Sequence, residues 1–578
     1  MSSKIQTSGA SVIAEFLKQK IEKVFLYPGG TIAPILDELE KRSIKMYTAR
    51  TEQGAGFAAV GAAKVSGQAE VVLVSSGPGV TNLVTCIADA FYDSTPIVAI
   101  CGQVGISDFK ADLPIRQLGF QEVDTEKLLG SISKKVFTPK TISELRYSLS
   151  AAFTLACSGR PGPVVINMHM NLQRAFEDLQ ESTFPPQIET QNDNSKREEF
   201  IDRYLGALST ASKPLIIVGQ GAIKNGNWQL VRELATSLKI PVSHSLLALG
   251  VLPGNSPFNL GFHGHTGTRL SGKVIQESDL ILVIGSRLDV RQTGTKFSEF
   301  ASNARIFRID LDSAELSHAR ITSHENLLCS CEDFLSALAT RSLPDYMEPS
   351  DWIDRLQYLR ETSLEPAETV GFEGVDPELL IRKLSRLVRG NNLNLVTGVG
   401  SHQQWTARNF EFDLEYTNWL TSGGLGTMGY DIPVAIGAQL QTPSNLTVCV
   451  VGDGSFQMNI QELAFIAEHR IPLKIIVMDN SRLGIVSQFQ KLNWESDPTC
   501  GHKVNPDFEL VAKAFNIDAI SISENHEIQN GLEWLINNTN ASLLNVKVDS
   551  SVDVVPMLLA GDTPDRMWPY VTTQETSK

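Results

Sequence analysis

The chain of 578 residues lacks any apolar run long enough to cross a bilayer, so no membrane-spanning helix is expected. It lacks a surplus of positive charge: 50 Lys and Arg stand against 65 Asp and Glu, a net charge of −15, which argues against nucleic acid as a partner. Cysteine is scarce, with seven scattered residues and no spacing that suggests a disulfide framework. That usage fits a reducing compartment, and a cytoplasmic location is expected. Cys329 and Cys331 form a Cys-x-Cys with no second pair nearby and read as packing rather than metal ligation. The N-terminus carries neither a signal-peptide apolar block nor an Arg-rich transit character. It passes into an amphipathic helix with Val12, Ile13, Phe16 and Leu17 on one face.

What is present is ordinary for a large globular chain. The hydrophobic content is 42% and the length calls for about three domains. Strand and helix patterns alternate in three blocks, which predicts an α/β protein of three doubly wound parallel sheets. The expected domains are residues 1–183, 184–345 and 346–578. Strands are expected at Val24–Tyr27, Glu70–Ser75, Pro96–Cys101 and Pro163–Met168 in the first, and at Pro214–Val218, Leu280–Ile284 and Arg305–Leu311 in the second. The third should hold Leu393–Thr397, Thr447–Val451, Lys474–Met478 and Leu543–Val548. Polar stretches from Phe184 to Glu199 and from Ser342 to Gly374 read as linkers. The polar tail after Ala560 reads either as a flexible end or as a lid.

The most informative stretch is Val450-Val451-Gly452-Asp453-Gly454-Ser455-Phe456, followed downstream by Met478-Asp479-Asn480. An apolar strand ends in Gly-Asp-Gly-Ser, a helix is expected over Asn459–Glu468, and a second strand ends in Asp-Asn. Adjacent parallel strands would set Asp453 and Asn480 side by side at the carboxyl edge of the sheet. Two oxygen ligands there, with the N–H groups of Gly454 and Ser455, suit a hard cation holding a diphosphate. An ordinary strand-turn-helix accounts for the same residues. In the first block Glu52 enters a small, apolar helix. It is either an acid favourable to the helix dipole or a desolvated carboxyl able to share a proton with a ligand nitrogen. Ser76-Gly77-Pro78 opens another helix after a strand, as a simple capped turn would.

Taken together the motifs resemble the thiamine-diphosphate enzymes, most closely the acetolactate synthase catalytic subunits and their flavin-containing carboligase relatives. They run in order along nearly the whole chain: YPGG at Tyr27, TEQGAGF at Thr51, SSGPGVTN at Ser75, FQEVD at Phe120, SGRPGPV at Ser158, GFHGHTG at Gly261, GSRLDVRQTG at Gly285, GVGSHQQW at Gly398, WLTSGGLGTMGY at Trp419 and GDGSFQMNIQEL at Gly452. The resemblance implies a pyrimidine-binding domain, a central Rossmann-like FAD-binding domain and a diphosphate-binding domain, with thiamine diphosphate, Mg²⁺ and FAD as cofactors. It makes Glu52 the carboxyl on the cofactor's aminopyrimidine, Met428 the wedge that holds the cofactor bent, and Gln121 a polar group near the reacting carbon. Gly30, Pro78, Asn82, Gly400, His402, Gln403, Gly426, Gly454, Ser455 and Ile485 match cofactor-binding positions. Asp453, Asn480 and the main-chain carbonyl of Arg482 match the metal ligands. Gly261, His263, Gly264, Gly285, Arg287, Asp289, Arg291 and Asp310 match the flavin loops.

The resemblance further implies that pyruvate is decarboxylated and its two-carbon unit passed to a carbonyl acceptor, with the flavin taking no net redox part. Glu52 and Asp453 would come from different subunits, so a homodimer is the smallest functional unit and a tetramer is common among such enzymes. Thr31, Phe120, Arg291 and Phe489 match the acceptor pocket. Departures gather there: Phe489 stands for a Trp, Thr31 for Ala, Gly105 for Pro and Val290 for Asp, and the segment from Ile106 to Gly119 is long. Elsewhere Asp479 replaces an Asn and Ser401 a Gln. The acceptor is therefore expected to be a 2-keto acid or, as in sugar-branching relatives, a ketone or nucleotide-linked keto-sugar. A pyruvate oxidase and a non-catalytic paralogue are the other readings.

Overall fold

In the computed structural model, the described residues are 6–178, 194–318, 320–321, 324–342, 350–363, 373–501 and 504–570. They form three six-stranded sheets, all parallel, with helices in the crossovers. From edge to edge the first sheet runs Lys45–Thr48, Lys23–Tyr27, Glu70–Val74, Ile97–Gln103, Val164–His169 and Lys135–Phe137. The third runs Thr417–Thr421, Leu393–Thr397, Leu446–Gly452, Lys474–Asp479, Ser542–Lys547 and Asp518–Ile522. Counted within its own block, each has the order 2-1-3-4-6-5. The middle sheet runs Asn259–Phe262, Val242–His244, Pro214–Val218, Leu280–Ile284, Arg305–Asp310 and Glu325–Leu328, which is the 3-2-1-4-5-6 order of dinucleotide-binding sheets. A two-stranded antiparallel pair, Gln6–Ser8 with Phe176–Asp178, fastens the start of the first block to its end.

The central strands are buried on both faces, as in Glu70–Val74, Pro214–Val218 and Lys474–Asp479, so they appear in the sequence as continuous apolar runs. One hydrophobic core spans the first and third blocks. Its seam is the small-residue helix Glu52–Ser66 lying against Asp431–Gln441. A Cβ on Gly61 would fall 2.1 Å from Val434 O, and one on Gly437 1.9 Å from Ala58 O, so the two backbones meet only because both residues are glycine.

Both linker expectations need correction. Lys196-Arg197-Glu198-Glu199 lie inside a helix, Asn194–Leu208, because Phe200, Ile201, Tyr204 and Leu208 give its outwardly polar segment a buried face. A second helix, Ser350–Thr362, interrupts the other stretch and buries Trp352, Leu356 and Leu359 against the middle sheet. Residues 184–193 and the expected boundaries at 183/184 and 345/346 lie outside the described residues. The helix expected over Asn459–Glu468 is displaced: one helix starts at Asp453 and ends at Met458, and another covers Glu462–His469. The tail as far as residue 570 packs on the middle block, where the Arg269 guanidinium donates to the carbonyls of Met567 and Pro569. No helix among the described residues is long and apolar enough to cross a membrane. All seven cysteines are free.

Candidate active site

In an open parallel sheet, ligands bind where the strand order reverses, beyond the carboxyl ends of the strands. Each block carries several of its sequence-predicted residues at or beside that point. In the first, Lys23–Tyr27 and Glu70–Val74 end side by side in Gly29-Gly30-Thr31 and Ser75-Ser76-Gly77. Thr31 Oγ1 lies 2.9 Å from Ser75 Oγ and accepts the Ser76 N–H at 2.9 Å. Its hydroxyl is thus engaged in the turn itself. Gly30 faces open space, and Pro78 starts the helix Pro78–Tyr92. Gly77, at φ 60°, lets the Gln121 backbone approach, and Gln121 is itself held in the left-handed region at φ 63°. Glu52 is buried as the first residue of its helix, and Asn82 Nδ2 donates to its Oε2 at 3.0 Å. Phe120, by contrast, is 85% exposed.

In the third block the corresponding point lies between Leu393–Thr397 and Leu446–Gly452. Asp431, which no sequence motif singled out, organises it. Its carboxylate accepts from the Gly398 N–H and the Ser455 hydroxyl, and its Oδ1 lies 3.2 Å from His402 Nε2. Asp453 Oδ1 accepts from the N–H of Gly454 at 2.7 Å, so that N–H is not open as expected. Asp453 Oδ2 and Asp479 Oδ1 are bridged by Asn505 Nδ2 at 2.7 and 2.8 Å. The extra charge of Asp479 is balanced by an ion pair with Lys547. Asn480 Oδ1 accepts from the Arg482 N–H at 3.2 Å, with Ser481 between them at φ 54°. The Arg482 guanidinium turns away to Ser487 Oγ and Asp553, leaving only its backbone at the site. Ile485 is half-buried on the following helix. Among the described residues no three His, Cys, Asp or Glu side chains cluster as a metal cage.

Met428 sits beyond the turn Ser422–Thr427. The Gly426 and Thr427 N–H groups donate to Ser422 Oγ, and the Gly429 N–H to Ser455 Oγ. This turn also forms one wall of a cavity of about 350 Å³ between the blocks. The cavity mouth of the middle block lies between Pro214–Val218 and Leu280–Ile284, its own reversal point, where Gly219, Gly221 and Gly285 approach backbone to backbone. His263, Gly285, Arg287, Asp289, Arg291 and Asp310 line it. Gly261 and Gly264 shape the adjoining loop, Gly264 admitting the Arg291 carbonyl. Burial pushes the His263 imidazole down to about 4 and raises the Asp310 carboxyl. Gln403, matched to the diphosphate by its motif, lines this cavity too, its Nε2 donating to Thr421 Oγ1 at 2.7 Å. Phe489 is partly exposed and packs edge-on against Trp494, well separated in sequence and block from Thr31 and Phe120.

Two observations test the fit of cofactors. The Ser401 hydroxyl is buried without a partner, and a Cβ on Gly484 would fall 2.6 Å from it, a cradle suited to a polyanion. In the central cavity His265 Nδ1 is buried and unpartnered beside the bare glycine loops.

Family models agree with this layout. The thiamine pyrophosphate enzyme N-terminal TPP binding domain matches residues 7–128, the central domain residues 201–338, and the C-terminal TPP binding domain residues 398–546. A fold of three such domains, with its glycine turns at the reversal points, is that of a thiamine-diphosphate-dependent enzyme. The chain is 35% identical over 564 residues to the acetolactate synthase isozyme 2 large subunit of Escherichia coli (strain K12), covering 97% of this chain and 99% of that one. It is 37% identical over 562 residues to the isozyme 1 large subunit of the same organism, covering 96% of each. It is 32% identical over 592 residues to the mitochondrial acetolactate synthase catalytic subunit of Saccharomyces cerevisiae (strain ATCC 204508 / S288c), covering 98% and 85%. The chain belongs to the acetolactate synthase family and is a thiamine-diphosphate-dependent enzyme that forms carbon–carbon bonds.

Proposed function

We propose that the enzyme decarboxylates pyruvate and joins the two-carbon unit to the carbonyl of a 2-keto acid, with Mg²⁺ anchoring thiamine diphosphate and FAD filling the central cavity. Thiamine diphosphate, when bound, supplies a nucleophilic carbon and an electron sink for the departure of carbon dioxide. Glu52, with Oε2 engaged by Asn82, holds at Oε1 the proton shared with a ligand nitrogen. Gln121 orients the substrate, and Met428 on its braced turn gives the ligand a fixed apolar rest. Asp453, Asn480 and the Arg482 carbonyl hold the cation, and Ser401, His402 and the turn at Gly400 face the diphosphate.

The observation that carries the choice of acceptor is Arg291. Arg291 lines the cavity, as the Ser422–Gly426 turn does, but it is exposed to solvent and makes no ion pair among the described residues. A planar cation left open to solvent in this way suits the carboxylate of a keto acid. A ketone or keto-sugar acceptor is the second reading. The exposure of Phe489 and Val504, 46% and 86%, is what favours it, since open apolar side chains after the Asp479-Asn480 strand leave room for a bulkier acceptor. We further infer a homodimer in which the Glu52 edge of one copy meets the Asp453 edge of the other. The apolar side chains of Ile106, Leu113, Ile115 and Leu118, each 43–53% exposed beside Phe120, support such a cover.

Competition between acceptors tests the reading. With pyruvate as donor, equal 2-oxobutanoate and a simple ketone, product masses should show acetohydroxy acids in excess. Predominant ketone adducts would overturn the keto-acid assignment.

A further inference from the structure

The carboxylates of Asp89 and Asp93 are buried at the carboxyl end of the helix Pro78–Tyr92, where the helix dipole is unfavourable to negative charge. Burial and the charge of Asp93 push the Asp89 carboxyl up to about 6. The dipole and their mutual repulsion disfavour two acids at that end, so the contacts that offset this cost mark where they act. Asp89 Oδ2 accepts the hydroxyls of Ser422 and Thr427. Asp93 accepts the N–H of Gly423 at 3.2 Å and of Gly424 at 2.7 Å, and pairs with the buried Lys64 at 2.7 Å. Lys64 Nζ also donates to Thr421 O at 2.8 Å. The Ser422 hydroxyl in turn accepts the N–H groups of Gly426 and Thr427 at 3.1 and 2.9 Å. A glycine-rich turn that would otherwise sample many conformations is thus bound at both ends to one rigid helix of the first block.

We propose that Asp89 and Asp93 are positioning residues of the first block that lock the Ser422–Thr427 turn of the third and thereby set Met428 against the thiamine cofactor. The inference rests on the role given above to Met428. The turn also walls the central cavity, so the same clamp shapes that space. Asp89 Oδ1 has no partner while Oδ2 takes both hydroxyls, so an amide oxygen could replace Oδ2 without losing either bond.

The test is a set of variants of the full-length enzyme: Asp89→Ala, Asp89→Asn, Thr427→Val, Met428→Ala and the double Asp89→Ala/Met428→Ala. Turnover of pyruvate, its KM, and the dissociation constant of thiamine diphosphate from tryptophan quenching are measured on each. Asp89→Ala should lower kcat by about tenfold or more with a smaller change in KM, and weaken thiamine diphosphate binding. Asp89→Asn should recover most of both losses, and Thr427→Val should move them in the direction of Asp89→Ala. The double variant should be no worse than Met428→Ala alone, since both changes act through one side chain. Equal losses in Asp89→Asn and Asp89→Ala, or additive losses in the double variant, would overturn the proposal. Should Asp89→Ala not fold, Thr427→Val with native kcat and cofactor binding would overturn it. The role of Met428 is judged separately, by Met428→Ala alone: unchanged kinetics there would remove that role.

Discussion

The seam between the first and third blocks makes a prediction whose sign depends on geometry alone. Gly61, Gly437 and Gly206 all lie in helices, where alanine is intrinsically better by about 1 kcal/mol. Around a Cβ on Gly206 there is nothing within 4 Å, so Gly206→Ala should stabilise the protein slightly. A Cβ on Gly437 would sit 1.9 Å from Ala58 O, whereas ordinary contact starts near 3.4 Å. The obstacle is a carbonyl of a packed helix and not the tip of a flexible side chain. The two helices would therefore have to part by about 1.5 Å, at an overpacking cost of about 1–3 kcal/mol or more, which outweighs the propensity gain. Gly61→Ala meets Val434 O at 2.1 Å and should behave alike. Thermal and urea unfolding midpoints of the three variants provide the assay, with pyruvate turnover alongside. Glu52 heads the displaced helix, so Gly437→Ala should lose activity as well as stability. If Gly437→Ala unfolds at or above the wild-type midpoint, as Gly206→Ala should, the close approach of these helices is wrong.

Three further outcomes follow from single residues. Glu52→Gln should abolish most turnover while leaving the unfolding midpoint within a few degrees of wild type, checked by pyruvate consumption and calorimetry; unchanged turnover would remove Glu52 from the mechanism. Glu462, reached by the Arg50 N–H at 3.1 Å and by the Thr51 hydroxyl, is raised by burial from 4.5 to about 7. The folded state therefore binds its proton more tightly than the unfolded state, and stability falls as pH rises from about 4.5 to 7, by at most about 3 kcal/mol. Glu462→Gln should gain on wild type in unfolding midpoint across that window; a difference independent of pH would contradict the shift. Arg291→Ala should raise the KM for a 2-keto acid acceptor by about tenfold or more, while the decarboxylation of pyruvate alone is less affected, as read by separate carbon dioxide and product assays.

Much of this architecture was legible because central parallel strands are buried on both faces. Pro214–Val218, Leu280–Ile284 and Leu393–Thr397 were expected with the bounds they have. The strands that escaped were the sheet edges, Lys45–Thr48, Lys135–Phe137, Asn259–Phe262, Glu325–Leu328, Thr417–Thr421 and Asp518–Ile522, together with three three-residue strands, Val242–His244 and the pair Gln6–Ser8 and Phe176–Asp178. Edge strands are short and half-solvated, so their patterns, such as the exposed-and-buried alternation of Asp518–Ile522, do not stand out from loops. The site divides in the same way. Glycine turns announce themselves after apolar strands, so the residues at the three reversal points could be named. Asp431, Asp89 and Asn505 could not, because each works across tens to hundreds of residues on groups that only the fold brings near. Glu462 was hidden for a further reason: it stands in the same motif as Asp453 but acts on the helix of Glu52.

Carboligation of pyruvate is the reaction assigned here to Glu52, Asp453 and Asn480. Its most direct test is to supply the purified enzyme with thiamine diphosphate, Mg²⁺, FAD and ¹³C-labelled pyruvate alone, and to follow carbon dioxide and products together by NMR. Acetolactate is the expected product, with one carbon dioxide released for each carbon–carbon bond formed. Acetaldehyde or acetate as the main product, or no consumption of pyruvate, would contradict it.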